Sequence, residues 1–225
     1  LAQKEKVFGG VVVVLNKHNI SHLEEMFDFF KSEKITPKFN PLARCGRAKS
    51  FANEVCITSR EYGNALVNLF DLWVNQNEDN PIDVNPIDEF VSSFRLGHSS
   101  TCCFKNNCQG SFVSVGPNGE VYPCGRFHDN PQFYLGNIED EAFSDISSRV
   151  ISKFAKRTSP KCSKCNYHRY CNSGCPANAL SYYDDETKAD YFCGSYKQIF
   201  SHIGEILKNE VDVAKDIMKG GEENG

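Results

Sequence analysis

Eleven cysteines stand at positions 45, 56, 102, 103, 108, 124, 162, 165, 171, 175 and 193. Four of them fall in CSKCNYHRYCNSGC, residues 162 to 175, with gaps of two, five and three residues. Nine lie between 102 and 193, so eight complete two four-thiolate sites and one is left over. The chemistry open to such a set is soft-metal binding, because thiolate sulfur holds zinc and iron–sulfur clusters alike. Two zinc ions would brace a small domain. Two iron–sulfur clusters, also four-cysteine, would add electron transfer. A CxxC pair serves zinc ribbons, redox motifs and iron–sulfur proteins, so spacing by itself divides the two metals evenly.

The compartment supports metal over disulfides. LAQKEKVF at the start is no signal peptide, and a dense cysteine set in a reducing cytoplasm usually serves metal. A cytoplasmic protein is therefore expected. The net charge is −4 with dispersed basic residues, which excludes an electrostatic footprint for nucleic acid. The longest apolar string, VVVVL, falls far short of the ~18 residues of a membrane span. The chain opens on Leu1 and reads as the continuation of something longer. The polar end, residues 220–225, is expected to be disordered.

The elements that must position the thiols follow from periodicity. Val7 to Leu15 predicts a buried strand by its largely apolar run. Ser21 with Glu24 has capping-box spacing and opens a helix with Leu23, Met26, Phe27 and Phe30 on one face. Ile35 to Phe39 is a second strand, and a strand–helix–strand unit predicts parallel pairing. Thr58 and Glu61 form a second capping box before an apolar stripe of Tyr62, Leu66, Leu69 and Trp73. Pro86 to Leu96 is a short helix that Gly97 ends. SFVSVGPNGEVYPC predicts a hairpin around GPNG. Residues 141–156 are helical, 162–175 irregular, and Asp190 to Met218 a closing helix. The class is α/β followed by α+β. The divisions are 1–47, a helical linker over 48–100, a cysteine domain over 101–219, and the tail.

Cys108, then Gly119 separated by four residues from Cys124, then CSKCNYHRYCNSGC, then Cys193, resembles the seven-cysteine signature of the SPASM domain. That domain is the C-terminal extension of many radical S-adenosylmethionine enzymes. GEVYPCGRF and LGNI (Leu135 to Ile138) resemble the family's hairpin and its downstream motif. Residues 7–47 resemble the last strand–helix–strand of the partial (β/α) barrel that precedes it. The resemblance implies iron–sulfur over zinc, as two auxiliary 4Fe–4S clusters with interleaved ligands. Cys102, Cys108, Cys124 and Cys175 would hold the first, and Cys162, Cys165, Cys171 and Cys193 the second. Cys103 is an alternative to Cys102. Cys45 and Cys56 fit neither set and are expected to be buried free thiols.

The resemblance also implies a catalytic cluster on CxxxCxxC, whose open iron binds S-adenosylmethionine so that one electron releases a 5′-deoxyadenosyl radical. This sequence has no CxxxCxxC. The expectation is the auxiliary-cluster portion of an enzyme that modifies a ribosomally made peptide or protein. S-adenosylmethionine and a third cluster would come only with an N-terminal half. A reducing donor such as flavodoxin or ferredoxin would supply electrons.

Anaerobic sulfatase maturases resemble it in full double-cluster spacing, but place an aspartate after the hairpin cysteine (YPCD), where this chain has Gly125. That departure favours a peptide maturase. Asp129 and Glu120 are nearby carboxylates that read as turn residues. Arg126 and His128 follow Cys124 closely; an arginine there could donate to cluster sulfur or a peptide carboxylate. Tyr167, His168, Arg169 and Tyr170 would pack around the second cluster. Arg44 and Arg47 sit where strand ends open onto ligands. The alternatives are a sulfatase-maturating enzyme, a non-catalytic peptide-binding iron–sulfur module, and a zinc-stabilised module.

Overall fold

A computed structural model describes residues 10–76, 81–99, 102–105, 113–128, 130–154 and 159–220. In chain order its regular elements are β1 (Val11–Leu15), α1 (Leu23–Ser32), β2 (Pro37–Pro41), α2 (Ala52–Val55), α3 (Ser59–Val74) and α4 (Ile87–Leu96). There follow β3 (Ser114–Val115), β4 (Glu120–Tyr122), β5 (Gly136–Asn137), α5 (Phe143–Phe154), α6 (His168–Cys171), α7 (Pro176–Tyr183) and α8 (Cys193–Gly220). They gather into two compact units. One comprises Leu1–Leu42, Ile57–Val91 and Gly194–Gly225; the other comprises Ala43–Cys56 and Ser92–Cys193.

In the first unit β1 and β2 pair in parallel, from Val11 opposite Pro37 to Leu15 opposite Pro41. Proline donates no amide hydrogen, which suits Pro37 to the first position of its strand. The far side of β2 is joined by Asn85, which bonds Phe39 and Pro37 through its backbone at 2.8 and 2.9 Å. The reading of β1 as wholly buried is corrected: Val12 is 64% and Val14 42% exposed. Two strands cover one face, so alternate valines face outward despite the apolar run. Residues 7–9 lie outside the described residues.

α1 buries Leu23 and Phe27 as its period requires. Ser21, however, does not cap it. A 3-10 turn over Ile20–His22 leads into the helix, and its N-cap residue His22 makes no side-chain cap bond. At α3 the reciprocal box forms. Thr58 Oγ1 accepts from the Glu61 amide at 3.2 Å, while the Glu61 carboxylate accepts from the Thr58 amide at 2.6 Å. Those bonds, the backbone one foremost, hold the Glu61 carboxyl below its ordinary 4.5. Their stabilisation is therefore present above that value and is lost as pH falls through the lowered folded value. Thr58→Ala should destabilise the chain by about 1 kcal/mol in denaturant titration at neutral pH. A loss indistinguishable from zero would remove the box from the account.

Tyr62, Leu66 and Leu69 line the buried face of α3. Gly63 lets α8 come close, since a Cβ there would stand 3.1 Å from the Ser195 Cα. The seam carries polar bonds as well: the Ser195 amide donates to Ser59 Oγ at 3.2 Å, and His202 meets Asp71 at 2.7 Å. Phe90 and Phe200 pack edge to face at 5.3 Å.

In the second unit the hairpin turns at GPNG. Gly116 donates to Glu120 at 2.7 Å, and Gly119 adopts φ +83°, which an L side chain resists. β5, from LGNI, adds a third antiparallel strand. Val121, Leu135 and Ile146 form one small core, and Tyr122, Phe127, Phe133 and Ala177 another. Cys124 and Cys175 pack against that second core. Among the elements that escape a periodicity reading are β5, only two residues long, the one-turn α6 within the stretch read as irregular, and α7, which Pro176 opens. Among the described residues no helix is long and apolar enough to cross a membrane.

Candidate metal centre

The cysteine-rich loop is a succession of tight turns. Cys162 donates to Ser159 at 2.8 Å, Cys165 to Cys162 at 3.1 Å, and His168 to Cys165 at 3.1 Å. These bonds coil Pro160 to Cys171 so that its cysteines recur on a short path. Asn172, Ser173 and Gly174 then all take positive φ, at 45°, 71° and 71°. Three successive left-handed residues cost roughly 1–2 kcal/mol each for the two that are not glycine. They reverse the chain between Cys171 and Cys175, and the Gly174 amide closes the reversal on the Cys171 carbonyl at 2.7 Å. Asn172 Nδ2 donates to the Phe104 carbonyl at 2.6 Å, which brings the Cys102–Phe104 turn against this loop.

Asp190 is the clasp. Its amide donates to Ser173, and its carbonyl accepts from the Cys193 amide at 3.0 Å. Its carboxylate accepts from the Cys175 amide at 2.7 Å and the Phe192 amide at 2.8 Å. Asn178 completes the shell with bonds of 3.0 and 2.9 Å. Burial is the main influence on this carboxyl and raises its pKa, against the pull of the backbone bonds, Asn178 and Arg126. One residue thus fixes both Cys175 and the first residue of α8.

Cys171 lies deep in the loop. Burial, with the nearby Cys193, Cys162 and Cys165, pushes its thiol up to about 12, against a lowering bond from the Ser173 backbone. Those four thiols share one neighbourhood. A second neighbourhood surrounds Arg126. Burial opposes its charge, yet Cys175, Asp190, Cys45 and Cys124 together push its pKa above the usual value. Its Nη1 donates to the Cys175 sulfur at 3.4 Å and its Nη2 to Asn178 Oδ1 at 2.6 Å.

The donors suit iron and sulfide. All are soft thiols, which bind metal as thiolates and release their protons on binding. Among the described residues no three Cys, His, Asp or Glu side chains converge as a single ion requires. Soft thiolate donors of this kind fit an iron–sulfur cluster and fit zinc as well.

Cys162 and Cys171 are buried, Cys124, Cys165, Cys175, Cys193 and Cys103 half-buried, and Cys102 exposed. Cys108 and Asp129 lie outside the described residues. Cys56 is buried as expected. Cys45 is not: it is exposed, in the NPLARCGRAKS loop just before a 3-10 turn. The residues around the thiols also find partners. Tyr170 stacks on Phe94 at 4.4 Å under the Arg169 guanidinium, and Arg44 lies 5.4 Å over the Tyr182 ring. Sequence reasoning missed Asp190 and Asn178 as site residues. The available signal was an aspartate just ahead of a helix-opening cysteine, the place of an Asx turn.

Residues 102–166 match the SPASM model, an iron–sulfur cluster-binding domain. A cysteine-type anaerobic sulfatase-maturating enzyme of Clostridium perfringens is 29% identical over 209 residues, covering 90% of this chain and 56% of that protein. A serine-type anaerobic sulfatase-maturating enzyme of Bacteroides thetaiotaomicron is 25% identical over 235 residues, covering 94% and 56%. The structure of native anSMEcpe with bound AdoMet superposes with a TM-score of 0.76 at 25% identity, covering 94% of this chain and 59% of that one. The form with AdoMet and the Cp18Cys peptide gives 0.75 at 26%, covering 96% and 60%. The chain spans a little over half the length of the curated relatives named here. By these matches residues 102–166 are similar to the SPASM iron–sulfur cluster-binding domain, and most of the chain is similar to part of the anaerobic sulfatase-maturating enzymes.

Proposed function

We propose that the chain is the auxiliary-cluster portion of a radical S-adenosylmethionine enzyme that modifies a ribosomally made peptide or protein. The observation that carries the reading is the sorting of the thiols into two neighbourhoods. Cys162, Cys165 and Cys193 lie near Cys171, while Cys175 and Cys124, with Cys45, lie near Arg126. That sorting supports an interleaved ligand plan, with Cys102 and Cys108 completing the first set. Bound there, 4Fe–4S clusters carry single electrons.

The chain's own residues hold and shield. The left-handed turn over 172–174 and the Asp190 clasp fix the ligand backbone, while Tyr170 and Phe94 exclude water from the loop's flank. β1 pairs only with β2 among the described residues, and Val12 and Val14 stand outward. This supports residues 1–47 as the back end of a partial barrel whose sheet continues beyond β1, with 48–100 linking it to the cluster domain of 101–219. S-adenosylmethionine and a third cluster belong to a portion that carries CxxxCxxC, and a flavodoxin or ferredoxin would deliver electrons.

A peptide substrate is supported by the relatives' structures that hold peptides. The second reading, sulfatase maturation, is favoured by the names of those relatives. Gly125 weighs against it, because no carboxylate follows the hairpin cysteine to take a substrate proton. The test is turnover. A polypeptide that joins this chain to a CxxxCxxC portion should form 5′-deoxyadenosine from S-adenosylmethionine and reductant, and this chain alone should form none. Equal formation by the isolated chain would refute the assigned division of labour.

A further inference from the structure

We infer that Arg126 is a positioning residue that raises the reduction potential of the cluster held through Cys175, by donating a charged hydrogen bond to that ligand's sulfur. The inference rests on the proposed role of Cys175 as a ligand. Arg126 Nη1 lies 3.4 Å from the Cys175 sulfur. Its orientation is set from behind: Nη2 donates to Asn178 Oδ1 at 2.6 Å, and Asn178 is held by both oxygens of Asp190. Asp190 in turn accepts from the Cys175 amide at 2.7 Å. Ligand, arginine, amide and carboxylate form one closed ring of bonds, so the guanidinium cannot swing away without breaking several.

Two further facts favour a role toward a bound group over simple packing. The Arg126 Nε is buried with no hydrogen-bond partner among the described residues, a donor to spare where thiols collect. The cation also stands near Cys175, Cys45 and Cys124, of which Cys175 and Cys124 are members of one proposed ligand set. Reduction adds negative charge to a cluster and its thiolates. A fixed cation at one ligand stabilises the reduced form and lifts the potential of that cluster alone.

The test is an EPR-monitored redox titration of the anaerobically reconstituted chain, with iron assayed on the same samples. Cys175→Ser marks which midpoint belongs to the Cys175 cluster. Arg126→Met should make that cluster's reduction about tenfold less favourable, roughly 59 mV for a one-electron couple, and leave the other midpoint in place. Arg126→Lys keeps a charge but not the planar fork and should recover part of the shift. Should the methionine variant lose its iron, the lysine variant decides, by a smaller negative shift confined to the same cluster. Wild-type midpoints in fully loaded variants, or equal movement of both midpoints, would overturn the role of Arg126. Wild-type chain that takes up no cluster would instead overturn the metal-centre reading beneath it.

Discussion

Gly174→Val is expected to be the most damaging single substitution outside the cysteines. Gly174 has φ +71°, a region where a β-branched residue is strained. The added Cβ would also collide with the Asp190 side chain, which is itself buried and bonded to the Cys175 amide. Backbone strain of about 1–2 kcal/mol adds to overpacking of about 1–3 kcal/mol, a large share of a typical domain's stability. Thermal or denaturant unfolding should show that loss, and iron retention should fall with it. Gly97→Ala is the contrast. Gly97 has φ +76°, but a Cβ there meets nothing within 4 Å, so only the roughly 1–2 kcal/mol backbone cost applies. If the two substitutions cost the same, the Asp190 clasp is not what the turn protects.

The second large effect concerns the thiols themselves. Cys171→Ser and Cys175→Ser should each lower bound iron from about eight to about four per chain, and the two variants should lose different clusters. Their EPR spectra in the reduced state should be complementary, the pair summing to the wild-type signal. Cys56→Ser should leave iron content unchanged, because that buried thiol belongs to neither neighbourhood. Exposed Cys45 lies near Arg126 but in neither proposed ligand set, and Cys45→Ser should behave likewise. Loss of all iron from either ligand variant would argue for one shared site. Loss from neither would remove both residues from the ligand sets.

Much of this molecule was legible because its signals are local. The Thr58–Glu61 box, the α3 stripe and the GPNG hairpin all appear where a few residues determine the outcome. Parallel pairing of β1 and β2 followed from the short strand–helix–strand spacing. The failures have physical causes too. Four valines in a row read as buried on both faces, but burial depends on what covers a sheet, and Val12 and Val14 are left uncovered. Ser21 has the spacing of a cap, yet a 3-10 turn displaces the helix start to Leu23. β5 is too short for any period.

The site was legible as a set of cysteines and not as a mechanism for holding them. Asp190, Asn178 and Arg126 are scattered over more than sixty residues of sequence, from 126 to 190, and only folding closes them into a ring around Cys175. Arg126 drew notice solely from its nearness to Cys124. That it faces Cys175 and is fixed from behind by Asn178 depends on α7, which the sequence does not announce.

The central claim is that the thiolates grip iron and inorganic sulfide. Its most direct test is elemental: iron, acid-labile sulfide and zinc assayed together on chain purified without oxygen, alongside the visible spectrum. The account predicts about eight irons with matching sulfide per chain and broad charge-transfer absorption that bleaches in air. Colourless, folded protein carrying about two zinc ions and no sulfide would contradict it.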